Sequence, residues 1–184
     1  MKISVITVCL NSEKTIERTI NSLIEQTHDN IEYIVIDGNS KDNTVNIIKS
    51  YSNYIDYFIS EKDRGLYSAL NKGIKASTGD IISILHSNDI FYNDDVLKKI
   101  NNIFEKDNID FLFTSVCYKK NFRNSKIFRI YKSRFKPWML RFGYSPPHTG
   151  FFAKKTEIYK IGNYDENLVI ASDFEFFVRL FLNK

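Results

Sequence analysis

Residues 3–37 carry the sequence ISVITVCLNSEKTIERTINSLIEQTHDNIEYIVID, which predicts a strand, a helix and a second strand. The opening run is mostly β-branched and apolar, as in a parallel strand that is buried on both faces. Apolar residues then recur at helical spacing between positions 16 and 24, and Asn11 or Ser12 can cap that helix. Residues 31–36 repeat the apolar pattern of the first strand.

The alternation of strand and helix continues to residue 85, with a second helix in the 40s, a short strand at 57–60, a helix at 66–75 and a buried strand at 81–85. Strands and helices at this pitch form right-handed crossovers and a mostly parallel sheet flanked by helices, which is an α/β fold. Ligands of such sheets bind beyond the carboxyl ends of the strands. Polar loops follow all four strands, so we predict a site there, the alternative being ordinary solvated loops.

Composition and cysteine usage narrow the class of protein. The 184 residues suffice for one domain with a hydrophobic core, and the net charge of +4 is too small to select nucleic acid as a partner. Cys9 and Cys117 are isolated in apolar runs, so we expect small core residues in a reducing compartment. The chain shows no signal-peptide pattern, which favours a cytoplasmic location. The helix predicted at 174–182 has barely begun when the sequence ends, so we expect a C-terminal truncation.

One basic stretch, residues 119–136, has two interpretations. It holds eight basic residues and no acid, with aromatic residues interleaved and Trp138 following. Lysine, arginine and aromatic side chains together favour contact with an anionic membrane surface and a peripheral position at the inner face of the membrane. A solvated loop is the equally open alternative.

A nucleotide-diphosphate ligand would need a cation in this chain, because no glycine-rich phosphate-binding loop follows the first strand. A divalent ion on oxygen ligands is the other common solution, and Asp89, directly after a buried strand, is placed to supply one ligand. A single aspartate in a loop is also a common turn former, so Asp89 alone does not establish a metal site.

Four segments resemble the family 2 glycosyltransferases of the GT-A fold, in order and over nearly the whole chain. Residues 4–44 resemble the family's opening, and EKDRGLYSALNKGIKASTGDIISILHSND at 61–89 resembles the segment leading to its metal site. PPHTGFF at 146–152 and ASDFEFFVRL at 171–180 resemble its two later landmarks. The resemblance implies one GT-A domain over residues 1–184, with a nucleotide-binding half to about residue 90 and an acceptor half from about 91.

The resemblance also implies a role for each matching residue. Asp173 matches the catalytic base, Asp89 the metal-binding aspartate that holds Mn²⁺ or Mg²⁺, and His148 a histidine near the donor diphosphate and acceptor. Nucleotide contacts are implied for a further set of residues: Thr7, Asn11, Asp37, Asp63, Arg64 and Asn88. Asn88 departs from the family, which usually has an acid there; its amide can still bind a ribose hydroxyl but adds no charge to the metal site.

The function implied is inverting, metal-dependent transfer of a sugar from a nucleotide-sugar donor, by default a UDP-sugar, to a hydroxyl of a saccharide or lipid-linked saccharide in cell-surface polysaccharide synthesis. One rival, a nucleotidyltransferase, would need a basic glycine-rich loop where residues 10–13 read LNSE. A nucleic-acid-binding protein using residues 119–136 would leave the acidic loops unexplained. A binding module without activity also stays open, because Asn88 replaces an acid.

Overall fold

The computed structural model describes residues 1–121 and 124–182, and the elements follow one another as strand and helix in the first half. Their bounds are β1 (Ile3–Cys9), α1 (Ile16–Ile24), β2 (Ile31–Asp37), α2 (Thr44–Ser50), β3 (Tyr57–Ser60), α3 (Leu66–Ala76), β4 (Ile81–Ile84), α4 (Val96–Asp107), β5 (Phe111–Phe113), β6 (Val116–Asn121), β7 (Asn124–Tyr131), β8 (Phe151–Lys154), α5 (Lys155–Ile161) and α6 (Ser172–Leu182). Short 3₁₀ turns lie at Ser52–Tyr54, Pro137–Phe142 and His148–Gly150.

Six strands of the described chain form one sheet in the order β3-β2-β1-β4-β8-β5. The four strands of the first half are parallel, whereas β8 runs antiparallel to both β4 and β5. This confirms the predicted α/β fold with a mostly parallel sheet. The second half of the chain therefore extends the same sheet through β8 and β5.

Helices cover both faces of the sheet, which explains why β1 is apolar at nearly every position. Ile6 and Val8 point into a core layer with α3, α5 and α6, while Ile3 and Val5 point into the opposite layer with α1, α2 and α4. Helix α3 lies close to β1 because Gly73 has no side chain: a Cβ there would lie 2.3 Å from Ile6 Cγ2.

The first part of the basic stretch is strand, so the prediction of a loop is wrong there, whereas contact with a membrane surface stays a prediction. β6 and β7 pair as a two-stranded antiparallel hairpin, although residues 122–123 lie outside the described residues. Cys117 lies on β6 and is half-buried, so its prediction as a core residue is wrong; a two-stranded hairpin has too little cover to bury it. The prediction for Cys9, at the end of β1, is confirmed. Across residues 1–121 and 124–182, no helix is long and apolar enough to cross a membrane.

Candidate active site

A cleft of about 420 Å³ opens at the carboxyl ends of β1, β2 and β4, where the polar loops were predicted to meet. Its walls come from the ends of these strands and from the segment that enters α3: Cys9, Ser12, Gly38, Asp63, Leu66, His86 and Asn88 are among them. Ser12 and Ser87 hydrogen-bond to each other across it at 2.9 Å, which ties the β1 loop to the β4 loop. The polar loops therefore meet around a cleft at this edge of the sheet, and the binding of a ligand there stays a prediction.

Thr7 and Asn11 lie on and after β1, and neither lines the cleft. Thr7 is fully buried, and its hydroxyl accepts a hydrogen bond from Tyr33 at 3.2 Å, so the structure places it inside the core. Asn11 has a φ of 49°, and its side-chain oxygen accepts a hydrogen bond from the Lys41 N–H at 2.9 Å. Its backbone N–H donates to Ser40 Oγ at 2.8 Å, so Asn11 joins the β1 and β2 loops.

Asp37 ends β2 and is fully buried. One carboxylate oxygen accepts from the Ser40 N–H at 2.9 Å and from Ser60 Oγ at 2.6 Å, and the other accepts from Ser40 Oγ. The carboxylate therefore holds the β2 and β3 loops together from within the protein. Its predicted contact with a nucleotide base stays a prediction, and it would require these serines to rearrange.

Asp63 is the acid that the cleft wall presents, and Arg64 beside it is exposed. The Asp63 side chain is only 7% exposed, and its Oδ1 forms an ion pair with Lys72 of α3. Its Oδ2 is buried and has no hydrogen-bond partner within the described part of the chain. That oxygen lies beside Gly38, since a Cβ added there would be 3.7 Å from it. A buried carboxylate oxygen without a donor is costly, so it favours a ligand that brings an N–H.

Asn88 and Asp89 follow β4 at the cleft. Asn88 is exposed and lines it, whereas Asp89 is half-buried, and its backbone carbonyl accepts from Thr19 Oγ1 at 2.8 Å. Burial raises the pKa of Asp89, and the nearby His148 opposes that effect. Among the residues that the structure describes, no three histidine, cysteine or acidic side chains are grouped so as to hold a metal. A cation beside Asp89 would therefore need oxygens from a bound diphosphate.

Asp173 and His148, predicted from separate segments, are brought into contact. Asp173 Oδ2 lies 3.2 Å from His148 Nδ1, and Asp173 Oδ1 accepts from the Tyr67 hydroxyl at 3.3 Å. The hydrogen bond from His148 lowers the pKa of Asp173 despite partial burial, so the carboxylate is ionised near neutral pH. Asp173 stands in the first turn of α6, whose N-terminus also favours negative charge.

Three residues of this site were missed by sequence reasoning: Tyr67, Lys72 and His86. His86 Nε2 lies 2.6 Å from His148 Nε2, and His86 also lines the cleft. Burial, with the nearby His148 adding to it, lowers the pKa of His86 to about 4. Tyr67 and His86 contact partners 106 and 62 positions away, and Lys72 contacts Asp63 across the turn that enters α3. No pattern around the three residues indicates these partners.

Most of the chain matches one family model: the glycosyl transferase family 2 model covers residues 4–166. The chain belongs to glycosyltransferase family 2. Its relatives include the uncharacterized glycosyltransferase Rv1514c of Mycobacterium tuberculosis, which is 32% identical over 184 residues, 96% of this chain and 68% of the relative. The predicted family is thereby confirmed.

Solved structures agree with this family 2 domain in fold. TarS 1–349 of S. aureus in complex with UDP-GlcNAc superposes with a TM-score of 0.79 at 23% identity, over 100% of this chain and 54% of TarS 1–349. The mannosyltransferase PcManGT from Pyrobaculum calidifontis, in complex with GDP-Man and Mn²⁺, gives 0.73 at 19% identity, over 97% of this chain and 51% of PcManGT. The family 2 domain thus spans about half the length of these structures, and its GT-A fold is shown.

Proposed function

We propose that this family 2 domain transfers a sugar from a nucleotide-sugar donor to a hydroxyl acceptor, with inversion at the anomeric carbon. The observation that carries the proposal is a series of contacts from the cleft to the proposed catalytic base, Asp173. His86 lines the cleft and contacts His148, which contacts Asp173. A donor in the cleft would therefore be connected, through His86 and His148, to an ionised carboxylate that can accept a proton. The halves before and after residue 90 take the donor and acceptor roles.

The reaction needs few groups from the protein. Asp173 takes the proton of the acceptor hydroxyl while its oxygen attacks the anomeric carbon in line with the departing diphosphate, which inverts that carbon. The carboxylate is ionised because the His148 hydrogen bond holds its pKa low. Proton transfer to such a weak base is favourable only as the new C–O bond forms and the hydroxyl becomes acidic. His148 and Tyr67 hold the two carboxylate oxygens.

UDP is the nucleotide that we propose, and Asp63 supplies the reason. Uracil has one ring N–H, at N3, and the unpartnered Asp63 Oδ2 is an acceptor at the wall of the cleft beside Gly38. Cytosine has no proton at that ring nitrogen and could donate only from its exocyclic amino group. Guanine also has a ring N–H, at N1, so the preference for UDP over GDP rests on the family resemblance. UDP-GlcNAc is the ligand of the S. aureus neighbour and GDP-Man that of the archaeal one, so the fold accommodates both nucleotides. Asn88 would contact the ribose and Arg64 would close over base and ribose.

A divalent cation, Mn²⁺ or Mg²⁺, fits beside Asp89 when a diphosphate completes its ligands. Burial disfavours the charged form of Asp89, and a cation would compensate for that cost. One or two carboxylates plus substrate phosphates are a common arrangement for Mg²⁺. When bound, the cation neutralises charge on the leaving diphosphate.

Asp173→Asn tests the proposed base. Water can take the place of the acceptor hydroxyl, so UDP release from UDP-sugars with Mn²⁺ is the assay while the acceptor is unidentified. We expect Asp173→Asn to reduce release by at least about 100-fold, because a general base contributes 10²–10⁴, and to leave UDP affinity within about threefold. Asp165→Asn, in the same part of the chain, is the matched control. Equal rates for Asp173→Asn and wild type would contradict the proposal.

The acceptor that we propose is a saccharide on a lipid carrier, reached at the cytoplasmic face of a membrane. The support comes from the basic stretch, in which Phe128 is 75% exposed, followed by Trp138 at 57% and Phe142 at 80%. Large exposed aromatic groups among basic residues fit an anionic interface. Sedimentation with anionic vesicles tests this: binding is expected, and it should weaken for Phe128→Ser/Phe142→Ser. Binding to random DNA but not to vesicles would contradict it.

A further inference from the structure

The chain has three histidines, and two of them touch each other beside Asp173. The rings of His86 and His148 meet edge to face, with centroids 4.8 Å apart and planes at 81°. Their Nε2 atoms are 2.6 Å apart, a distance that requires a proton between them. The third histidine, His28, lies elsewhere, with its Nε2 3.0 Å from the Met1 carbonyl.

The contacts of His148 determine which nitrogen carries which proton. Asp173 is ionised and can only accept, so His148 Nδ1, 3.2 Å from its Oδ2, must be the donor. When His148 is neutral, its proton on Nδ1 leaves a lone pair on Nε2. The proton between the two rings then belongs to His86, in its Nε2–H form.

We propose that His86 is a positioning residue for the base: its Nε2–H donates to His148 and fixes the tautomer in which His148 donates to Asp173. Without that donor, His148 could place its proton on Nε2 and turn a lone pair toward the Asp173 carboxylate, which would repel it. The kinetic part of this inference rests on the proposed function. Its structural part, the tautomer of His148, does not.

The tautomers can be measured without any turnover. Long-range ¹H–¹⁵N correlation of the imidazoles separates Nδ1–H from Nε2–H forms, and with three histidines each is assigned by single substitution. We expect His148 as Nδ1–H and His86 as Nε2–H at pH 7.5, and a mixed or reversed tautomer of His148 in His86→Leu. His86→Gln retains an N–H donor and should restore the Nδ1–H form. His28 should be unchanged in every sample and serves as the internal control.

Two results would overturn the inference: Nε2–H for His148 in the wild-type protein, or an unchanged His148 tautomer in a folded His86→Leu variant. If His86→Leu does not fold, the wild-type spectrum and the spectrum of His86→Gln still show which tautomer His148 has.

The kinetic test is UDP release from a UDP-sugar. We expect kcat to fall by about 10- to 100-fold in His86→Leu, a part of what a general base contributes, with KM for the donor within about twofold and most of kcat recovered in His86→Gln. A loss of kcat in His86→Leu without any change of tautomer would also contradict the inference, because packing alone would then explain it.

Discussion

Glu32→Gln is expected to destabilise the protein, because the Glu32 carboxylate connects β2 to two other segments at the amino end of the sheet. Its side chain is 7% exposed and accepts hydrogen bonds from Ser4 Oγ at 2.5 Å, Lys2 Nζ at 2.9 Å and the Thr78 N–H at 2.7 Å. Burial alone would raise the pKa of Glu32, but these hydrogen bonds outweigh it and lower the pKa to about 2. A glutamine would replace one acceptor oxygen by an NH₂ group, which would face the donors that now bind the carboxylate.

The pKa values of Glu32 in the folded and unfolded chain give its contribution to the free energy of unfolding. With 4.5 in the unfolded chain and about 2 in the folded protein, the Glu32 carboxylate contributes about 3 kcal/mol near pH 7. Because the folded pKa is the lower one, this stability is complete above pH 4.5 and is lost as the pH falls through 2. About 1.4 kcal/mol of it remains at pH 3.

Urea unfolding followed by far-ultraviolet circular dichroism, at several pH values from 7 to 3, measures this contribution. The free energy of unfolding of Glu32→Gln should lie about 3 kcal/mol below that of the wild type at pH 7, and the gap should narrow toward pH 3. Glu25→Gln, with an exposed side chain, is the matched control and should show little change. A gap below about 1 kcal/mol at pH 7, or one that does not vary with pH, would refute the reasoning.

Two further predictions concern packing and thiol chemistry. Gly73→Ala should lower the free energy of unfolding by about 1–3 kcal/mol, because its Cβ would lie 2.3 Å from Ile6 Cγ2. Urea unfolding measures this loss, and Gly73→Ala should cost less in an Ile6→Ala background, in which Cγ2 is absent. Burial and the neighbouring Asp37 raise the pKa of Cys9 far above its ordinary value, so iodoacetamide at pH 8 should modify Cys117 and spare Cys9 in the native protein. Peptide mapping that finds Cys9 modified first would contradict this.

The sequence predicts the sheet well because buried parallel strands and amphipathic helices have distinct periods. β1, α1 and β2 all appear where the pattern of apolar residues puts them. The nucleotide contact of Thr7 comes from the family resemblance and stays a prediction. The pattern of apolar residues cannot say which side chains of β1 face the cleft, since a strand buried on both faces has no alternation. It also fails for the β6–β7 hairpin, where charge obscures the strand pattern.

Contacts between distant segments are what the sequence cannot supply. The family resemblance identifies Asp173 and His148, but their contact depends on how α6 packs against the β8 end of the sheet. His86 follows a buried strand, as many loop residues do, and its partner lies 62 positions away. The buried carboxylate of Asp37 and the unpartnered oxygen of Asp63 likewise become visible only when burial is known.

Calorimetric titration of UDP, GDP, CDP and ADP, with and without Mn²⁺, tests the central claim most directly, that this cleft binds the nucleotide part of a sugar donor. Wild type is expected to bind UDP in preference to CDP, because uracil brings a ring N–H to Asp63 and cytosine does not, and to need Mn²⁺ for full affinity. Asp89→Ala should lose the Mn²⁺ dependence, and Asp94→Ala, an exposed aspartate nearby, should retain it. Binding of none of the four nucleotides by a folded sample would contradict the claim.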